Sequence, residues 1–389
     1  MVAALVSLLA ACSGSSGSSG SGKPPLVLGF ANMEGSPAGS FPEARVGAQA
    51  AVDHVNDDLG GVGGRPLSLS VCKTNGTAES SQGCAQKLLA AKPVAVVSGI
   101  DLGANASVHV VADARVPYVT GSPTLGAELT TPGVSAFTGG TAADLLGIGD
   151  YLISQHVTSI HVLHEDLPGL LTTAIQAAGS IFSSKGVTDV KLVPEKADAA
   201  DFAPALTAAA AGHPQAIIVV FPAQACARIM QAAQALSVKA AMYYPGACAS
   251  PAVVAGQEAA LGNSYFASGF VPVGASGGGA DADDFRKRVP AAQRSPISEA
   301  SYAAVLDLAA LMAGGATDRT TLLTKLAATR NQPGVLAHPY TCDGKQLPLL
   351  TSVCNSNVRL LQYKGGAFTD VVGQWINGGE LTGLASPSS

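Results

Sequence analysis

The feature that most constrains this 389-residue chain is a repeated alternation of short apolar runs with Ala-rich stretches of helical spacing. Apolar runs over 26–31, 67–72, 94–98 and 116–120 predict strands. Between the first two, Val46, Ala50, Val52, Val55 and Leu59 recur at helical intervals and predict a helix over 44–59. A second helix is expected over 80–91. A further round begins near residue 141. Helices over 142–155, 170–184, 202–211 and 225–236 are predicted, with strands over 159–163, 190–193, 216–221 and 240–244. An extended run over 265–271 leads to a Gly-rich loop, then helices over 299–313 and 319–329. Segments 358–363 and 368–376 flank the turn Lys364-Gly365-Gly366 and predict a hairpin. Strands alternating with helices imply parallel sheets covered on both faces by helices. The expected class is therefore α/β, with two sheets of similar size and no linker or composition shift between them.

Seven cysteines add a second constraint. Cys12 stands alone, and the others fall into three local pairs, Cys72/Cys84, Cys226/Cys248 and Cys342/Cys354. Disulfides persist only in oxidising compartments, so six pairable cysteines predict a location outside the cytoplasm. Each bridge would close a short loop, worth roughly 3 kcal/mol in the chain-entropy model. No CxxC occurs and histidines do not cluster with the pairs, so a zinc site is not expected. The run Leu9-Ala10-Ala11-Cys12 resembles a bacterial lipobox, which implies lipidation of Cys12. Met1 to Ala11 departs from that pattern in lacking a positive residue. Only Ser and Gly fill 13–22, a composition that behaves as a flexible tether. Residues 1–24 are thus expected to be signal peptide and tether. No later stretch reaches the roughly 18 apolar residues of a spanning helix.

Charge excludes one class of partner. Charged residues are 13% of the chain, and the net charge of −5 is scattered, with no basic stripe to neutralise phosphates. Arg286-Lys287-Arg288 follows Asp281, Asp283 and Asp284, which reads as one solvated helix with acid at its start. No nucleic-acid role is expected. Catalytic patterns also fail on inspection. The spacing GxxxxGK over 17–23 is followed by Pro24, where a magnesium-binding hydroxyl is needed. Gly274-Ala275-Ser276-Gly277-Gly278 matches GxSxG, yet more Gly and Ala follow where a helix should start. His161 and His164 sit at odd spacing in one strand and face opposite sides. No enzyme, catalytic residue, metal or cofactor is expected.

The segment from Gly47 to Asn56, GAQAAVDHVN, followed by Gly60-Gly61-Val62-Gly63-Gly64-Arg65-Pro66-Leu67, resembles the opening of type I periplasmic binding proteins. It is most similar to the branched-chain amino acid binding proteins of ABC importers. Gln86-Lys87-Leu88-Leu89, Val94 to Gly99 and Arg115-Val116-Pro117-Tyr118-Val119-Thr120 follow in the same order. The resemblance implies two doubly wound parallel-sheet lobes joined by three crossover segments. Lobe 1 would hold 25–139 and 267–337, and lobe 2 would hold 140–266 and 338–378. Residues 379–389 would form a flexible tail.

A ligand would then lie between the lobes, beyond the carboxyl ends of the strands. Candidate contacts in lobe 1 are Met33 and Glu34 beside Asn32, then Gly99, Ile100, Asp101 and Leu102, then Gly121, Ser122 and Thr124. In lobe 2 they are His164, Asp166 and Leu167, then Phe221 and Pro222, then Gly246 and Ala247. Asp101 and Asp166 equally suit helix caps. The bridge Cys226–Cys248 would stiffen the lobe 2 wall. Family members that hold amino acids carry a tyrosine before a lobe 2 glycine, where this chain has Pro168-Gly169. They also use a lobe 2 acid for the α-ammonium, where this chain reads Pro245-Gly246-Ala247-Cys248. A buried ammonium left unpaired is costly, so a less polar or carboxylate-bearing molecule is the better expectation. The implied partner is an ABC permease, with membrane contact through the lipid anchor only and the protein itself a monomer. A ligand sensor of the same fold, and less strongly an extracytoplasmic hydrolase using Ser276, are the alternatives.

Overall fold

The first strand is buried on both faces, as the centre of a parallel sheet requires. The computed structural model describes residues 23–36, 39–124, 126–167, 170–273 and 278–383. Cys12, Ser276 and Pro168-Gly169 lie outside them. The chain opens as β1 (Leu26–Met33), α1 (Pro42–Asp57), β2 (Leu67–Thr74), α2 (Ala78–Ala90) and β3 (Ala95–Ser98). It continues as α3 (Ala104–Asp113), β4 (Tyr118–Thr120), α4 (Gly126–Thr130) and β5 (Val134–Ala136). These strands form one parallel sheet in the order β2-β1-β3-β4-β5.

The second round is α5 (Gly140–Ser154), β6 (Ser159–Glu165), α6 (Leu170–Ser184), β7 (Asp189–Glu195) and α7 (Ala203–Ala210). Then come β8 (Ala216–Val220), α8 (Ala223–Ala235), β9 (Ala241–Tyr244), α9 (Pro251–Val254) and β10 (Ser264–Ser268). Its parallel part runs β7-β6-β8-β9-β10. Both sheets therefore share one winding order, with the direction of progression switching beside β1 and beside β6.

The chain next returns to the first sheet. Helices α10 (Gly279–Arg288), α11 (Pro296–Ala313) and α12 (Arg319–Ala328) precede a small hairpin, β11 (Gln332–Gly334) and β12 (Ala337–Tyr340). Pro296 and the reciprocal Ser295/Ser298 capping box start α11, which is buried along nearly its whole length in the first core. It packs on the small-residue face of α1, where a Cβ on Gly47 would lie 2.2 Å from the Ser298 carbonyl oxygen. The chain then ends in the second sheet with β13 (Asn357–Lys364), β14 (Ala367–Asp370), β15 (Ile376–Asn377) and α13 (Gly378–Leu381). Strand β13 joins β10 antiparallel.

Three crossovers link the sheets and touch one another. The first, after β5, packs Phe137 against Tyr340 of the third, with ring centroids 4.7 Å apart and the planes tilted by 37°. Thr138 lies against Gly269 of the second, where an added Cβ would be 2.8 Å from the threonine methyl. Val271 N–H donates to the Leu336 carbonyl at 2.7 Å, and Asn355 Nδ2 donates to the His338 carbonyl at 3.0 Å.

Several expectations need correction. Helices α3 and α4 and strand β5 lie between 99 and 139, where the apolar pattern predicts only the strand over 116–120. The second hairpin strand is not continuous over 368–376, because Asp370 accepts from Val372 N–H and Gly373 N–H and turns the chain. The tail expected from 379 is packed as far as Leu381, which is buried in the second core; 384–389 lie outside the described residues. The three cysteine pairs are disulfides, with Cα separations of 5.7, 5.8 and 4.2 Å. Replacing Cys72 and Cys84 together by serine is expected to lower unfolding free energy by about 3 kcal/mol. Urea denaturation under oxidising conditions measures it, and an unchanged midpoint would contradict the expectation.

Candidate functional site

In each parallel sheet the strands end on the same side, so one rim gathers all the following loops. The rim of the first sheet is pinned by Asn32. Its Oδ1 accepts from Ile100 N–H at 3.0 Å, and its Nδ2 donates to the Phe41 carbonyl at 2.7 Å. Met33 N–H also donates to the Ile100 carbonyl at 2.7 Å. The loops after β1 and β3 are thus bound together at the point where the winding order switches.

The sequence-selected residues of this rim divide by partner. Met33 and Ile100 are buried in the first core rather than open to a ligand. The Glu34 side chain is only 6% exposed and lies 2.8 Å from Arg45 and 3.0 Å from Lys73. Burial pushes its carboxyl up, but hydrogen bonds from Arg45, Lys73 and Asn32 together outweigh that and hold it below the ordinary value. Asp101 is 1% exposed. Its Oδ1 accepts from Thr74 Oγ1, Ser81 Oγ and Gly103 N–H, while Oδ2 has no hydrogen-bond partner among the described residues. It fastens the β2, α2 and α3 ends together. Gly99 and Gly121 are closely packed; a Cβ on Gly121 would be 2.2 Å from the Ala300 carbonyl oxygen. Thr124 gives both its N–H and its hydroxyl to buried Glu128. Leu102 is exposed, and the Ser122 hydroxyl makes no hydrogen bond among the described residues. Those two are the free groups of this rim.

On the second rim, His164 is buried, with Nδ1 3.0 Å from the Glu165 carbonyl. His161 contacts the Ala209 carbonyl and Asp189 instead, so the two histidines share no partner. Asp166 and Leu167 are exposed. Glu165 is half-buried, and burial, then Asp198, push its carboxyl up. Phe221 is buried edge-on to Phe202, and Pro222 starts α8. Gly246 and Ala247 are half-buried in a single 3-10 turn, Gly246–Cys248. Gly246 N–H donates to Asp144 of α5 at 2.9 Å, and burial pushes that carboxyl up to about 7.

The two rims meet. Ala223 of α8 belongs to the same buried cluster as Met33 and Phe41. A Cβ on Gly39 would fall 2.3 Å from Gln224 Nε2, so the glutamine amide lies directly over that glycine. Phe41, Asp144 and Gln224 escaped the sequence reading; the only available signal for Gln224 was its place in the first turn after a strand. Two cavities, of about 150 Å³ at the β5 edge and about 320 Å³ beside Trp375, lie away from this meeting point, where apolar side chains are packed together.

A family profile described as periplasmic binding protein matches residues 28–364. No curated protein sequence matches. Among solved structures, the chain is similar to a branched-chain amino acid transporter substrate binding protein from Streptococcus pneumoniae, in complex with isoleucine. That pair has 19% identity and a TM-score of 0.73, over 90% of this chain and 99% of the other. A fatty acid ABC transporter substrate-binding protein from Thermomonospora curvata is similar at 15% identity and TM-score 0.74, over 92% and 94%. A solute binding protein of an ABC transporter from R. palustris, in complex with benzoate, is similar at 16% identity and TM-score 0.71, over 89% and 95%.

Proposed function

The chain belongs to the periplasmic binding protein family, and we propose that it is a lipid-anchored binding protein delivering a small apolar carboxylate to an ABC permease. The anchor would be Cys12, and the ligand would be trapped between two lobes built on the two sheets. The observation that carries this reading is the meeting of two strand-end rims across Gly39 and Gln224, opposite a bundle of three crossovers. Such a bundle is where a hinge can bend while both sheets stay rigid. Ligand binding would then favour the closed arrangement over an open one.

The ligand class follows from what the rims offer. Glu34 is already neutralised by two cations, and Asp101 is buried, with one oxygen holding Thr74, Ser81 and Gly103. Neither is free to hold an α-ammonium. Leu102, Leu167 and Pro222 supply apolar surface, while the Ser122 hydroxyl and the backbone N–H groups of α8's first turn suit a carboxylate. Asp166 favours one second reading, an amino acid, because it is exposed and its carboxylate accepts no hydrogen bond among the described residues.

A thermal-shift screen over short fatty acids, aromatic acids and branched-chain amino acids tests this. A carboxylate without an amine, at about 100 times its dissociation constant, is expected to add about 2.7 kcal/mol of stability. Ser122→Ala should weaken it and Asp166→Asn should not. Stabilisation by amino acids alone, lost in Asp166→Asn, would transfer the assignment to the second reading. No response to any of these compounds would defeat both.

A further inference from the structure

The cavity of about 320 Å³ shares no lining residue with the meeting rims. Its wall takes Asp150 and Tyr151 from α5, His338 from β12, Gln374 and Trp375 from the segment before β15, and Glu380 from α13. That volume falls at the lower end of the ~300–1,000 Å³ usual for small-molecule sites. Trp375 is the only tryptophan in the chain. The Arg359 guanidinium covers its ring at 4.3 Å and is itself tied to Asp370 at 3.0 Å. His338 meets the ring edge-on at 5.8 Å. The indole is thus held in place from two sides at the wall of a polar cavity.

The wall is acidic. Burial pushes the Asp150 carboxyl up and the neighbouring Glu380 charge pushes it further, against a smaller opposing pull from Lys185. Glu380 is engaged by Asn377 Nδ2 at 3.3 Å, whereas Asp150 accepts no hydrogen bond among the described residues. Two carboxylates that repel one another favour a cation carrying N–H donors and disfavour an anion. The Tyr151 ring adds attraction for ammonium or guanidinium. Among the described residues no group of three His, Cys, Asp or Glu side chains is placed to hold a metal ion, so an organic cation fits the wall better.

We propose that this cavity is a second binding site, independent of the ligand between the rims, and that it takes a small organic cation bearing amine or guanidine groups. Because Trp375 is unique, intrinsic fluorescence of the full chain reads the site directly. Titration with 1,4-diaminobutane and with butylguanidine is expected to change the emission saturably, and butyrate or butanol should not. Asp150→Asn should weaken the cation by about tenfold, the loss of one hydrogen bond to a charged group. If that variant does not melt cooperatively, Gln374→Ala on the exposed segment replaces it, with an expected weakening of about threefold. No saturable change with either cation overturns the proposal. So does an equal response to butyrate, or full affinity in the folded variant.

Discussion

Raising the pH from about 5 to about 9 is expected to weaken this fold progressively, and Glu299→Gln is expected to remove a substantial part of the loss. Glu299 is buried in the first turn of α11 and accepts the Val273 N–H; burial pushes its carboxyl up to about 8. Asp144 is likewise pushed up to about 7 by burial, against one hydrogen bond from Gly246. Burial also raises Asp307 well above its ordinary value, although Val335 N–H donates to it at 3.0 Å. In the unfolded chain these groups titrate near 4. The native state therefore keeps protons that the unfolded state has already released. Stability from these groups is complete below pH ~4 and is lost as pH rises through about 7 and 8. Glu34 has the opposite sign, since its lowered carboxyl adds stability that is lost only as pH falls below its ordinary 4.5. It does not offset the alkaline loss.

A rise from 4.5 to about 8 corresponds to ~5 kcal/mol of charge penalty, at 1.36 kcal/mol per unit. Glutamine keeps an acceptor for Val273 but brings N–H donors that cost about 1–3 kcal/mol if unpaired. Glu299→Gln should thus gain about 3 kcal/mol at pH ~9 and cost about 1–2 kcal/mol at pH ~5, where the wild-type carboxyl is still protonated. Urea denaturation at a series of pH values measures both. A flat wild-type profile, or a variant with the wild-type slope, would contradict the argument. The three acids also share a placement. Glu299 and Asp307 of α11 hold the second and third crossovers by their backbone N–H groups, and Asp144 holds the rim loop at Gly246. Charging them loads strain onto the joints rather than onto the sheets.

The sheets were legible because their strands are short apolar runs bounded by turns, and burial on both faces needs little else. Helix α3 was not, because Ala104–Asp113 carries Val108, Val110 and Val111 in a run that suits a strand as well as a helix. Strand β5 has three residues, too few to display a period. The rims were legible as places, since parallel strands must end on one side. Their side chains were not, because the partners that turn them inward are distant in sequence. Ser81 fixes Asp101 from 20 residues away, and Gly246 meets Asp144 across 102. Nothing local distinguishes such an acid from a free one.

Gly47→Val is expected to lower unfolding free energy by about 3–4 kcal/mol, although glycine is ordinarily a poor helix residue. A Cβ at position 47 would sit 2.2 Å from the Ser298 carbonyl oxygen, and that obstacle is backbone that no rotamer change can move aside. On its other side the same turn of α11 meets Gly121, whose Cβ would be 2.2 Å from the Ala300 oxygen. Residues 298–300 are therefore wedged between two glycines, with Glu299 reaching Val273 from between them. Any branched side chain at 47 must push α11 outward, opening a core that includes Ala44, Ala48, Ala300 and Ala304. Gly83 of α2 supplies the contrast, being helical with nothing within 4 Å of its would-be Cβ. Gly83→Ala should stabilise by about 0.5–1 kcal/mol through helix propensity alone. Denaturant melts of both variants decide the matter: similar small shifts of the same sign would mean that α1 and α11 are not in backbone contact, and that the first core tolerates a wider spacing than the geometry allows.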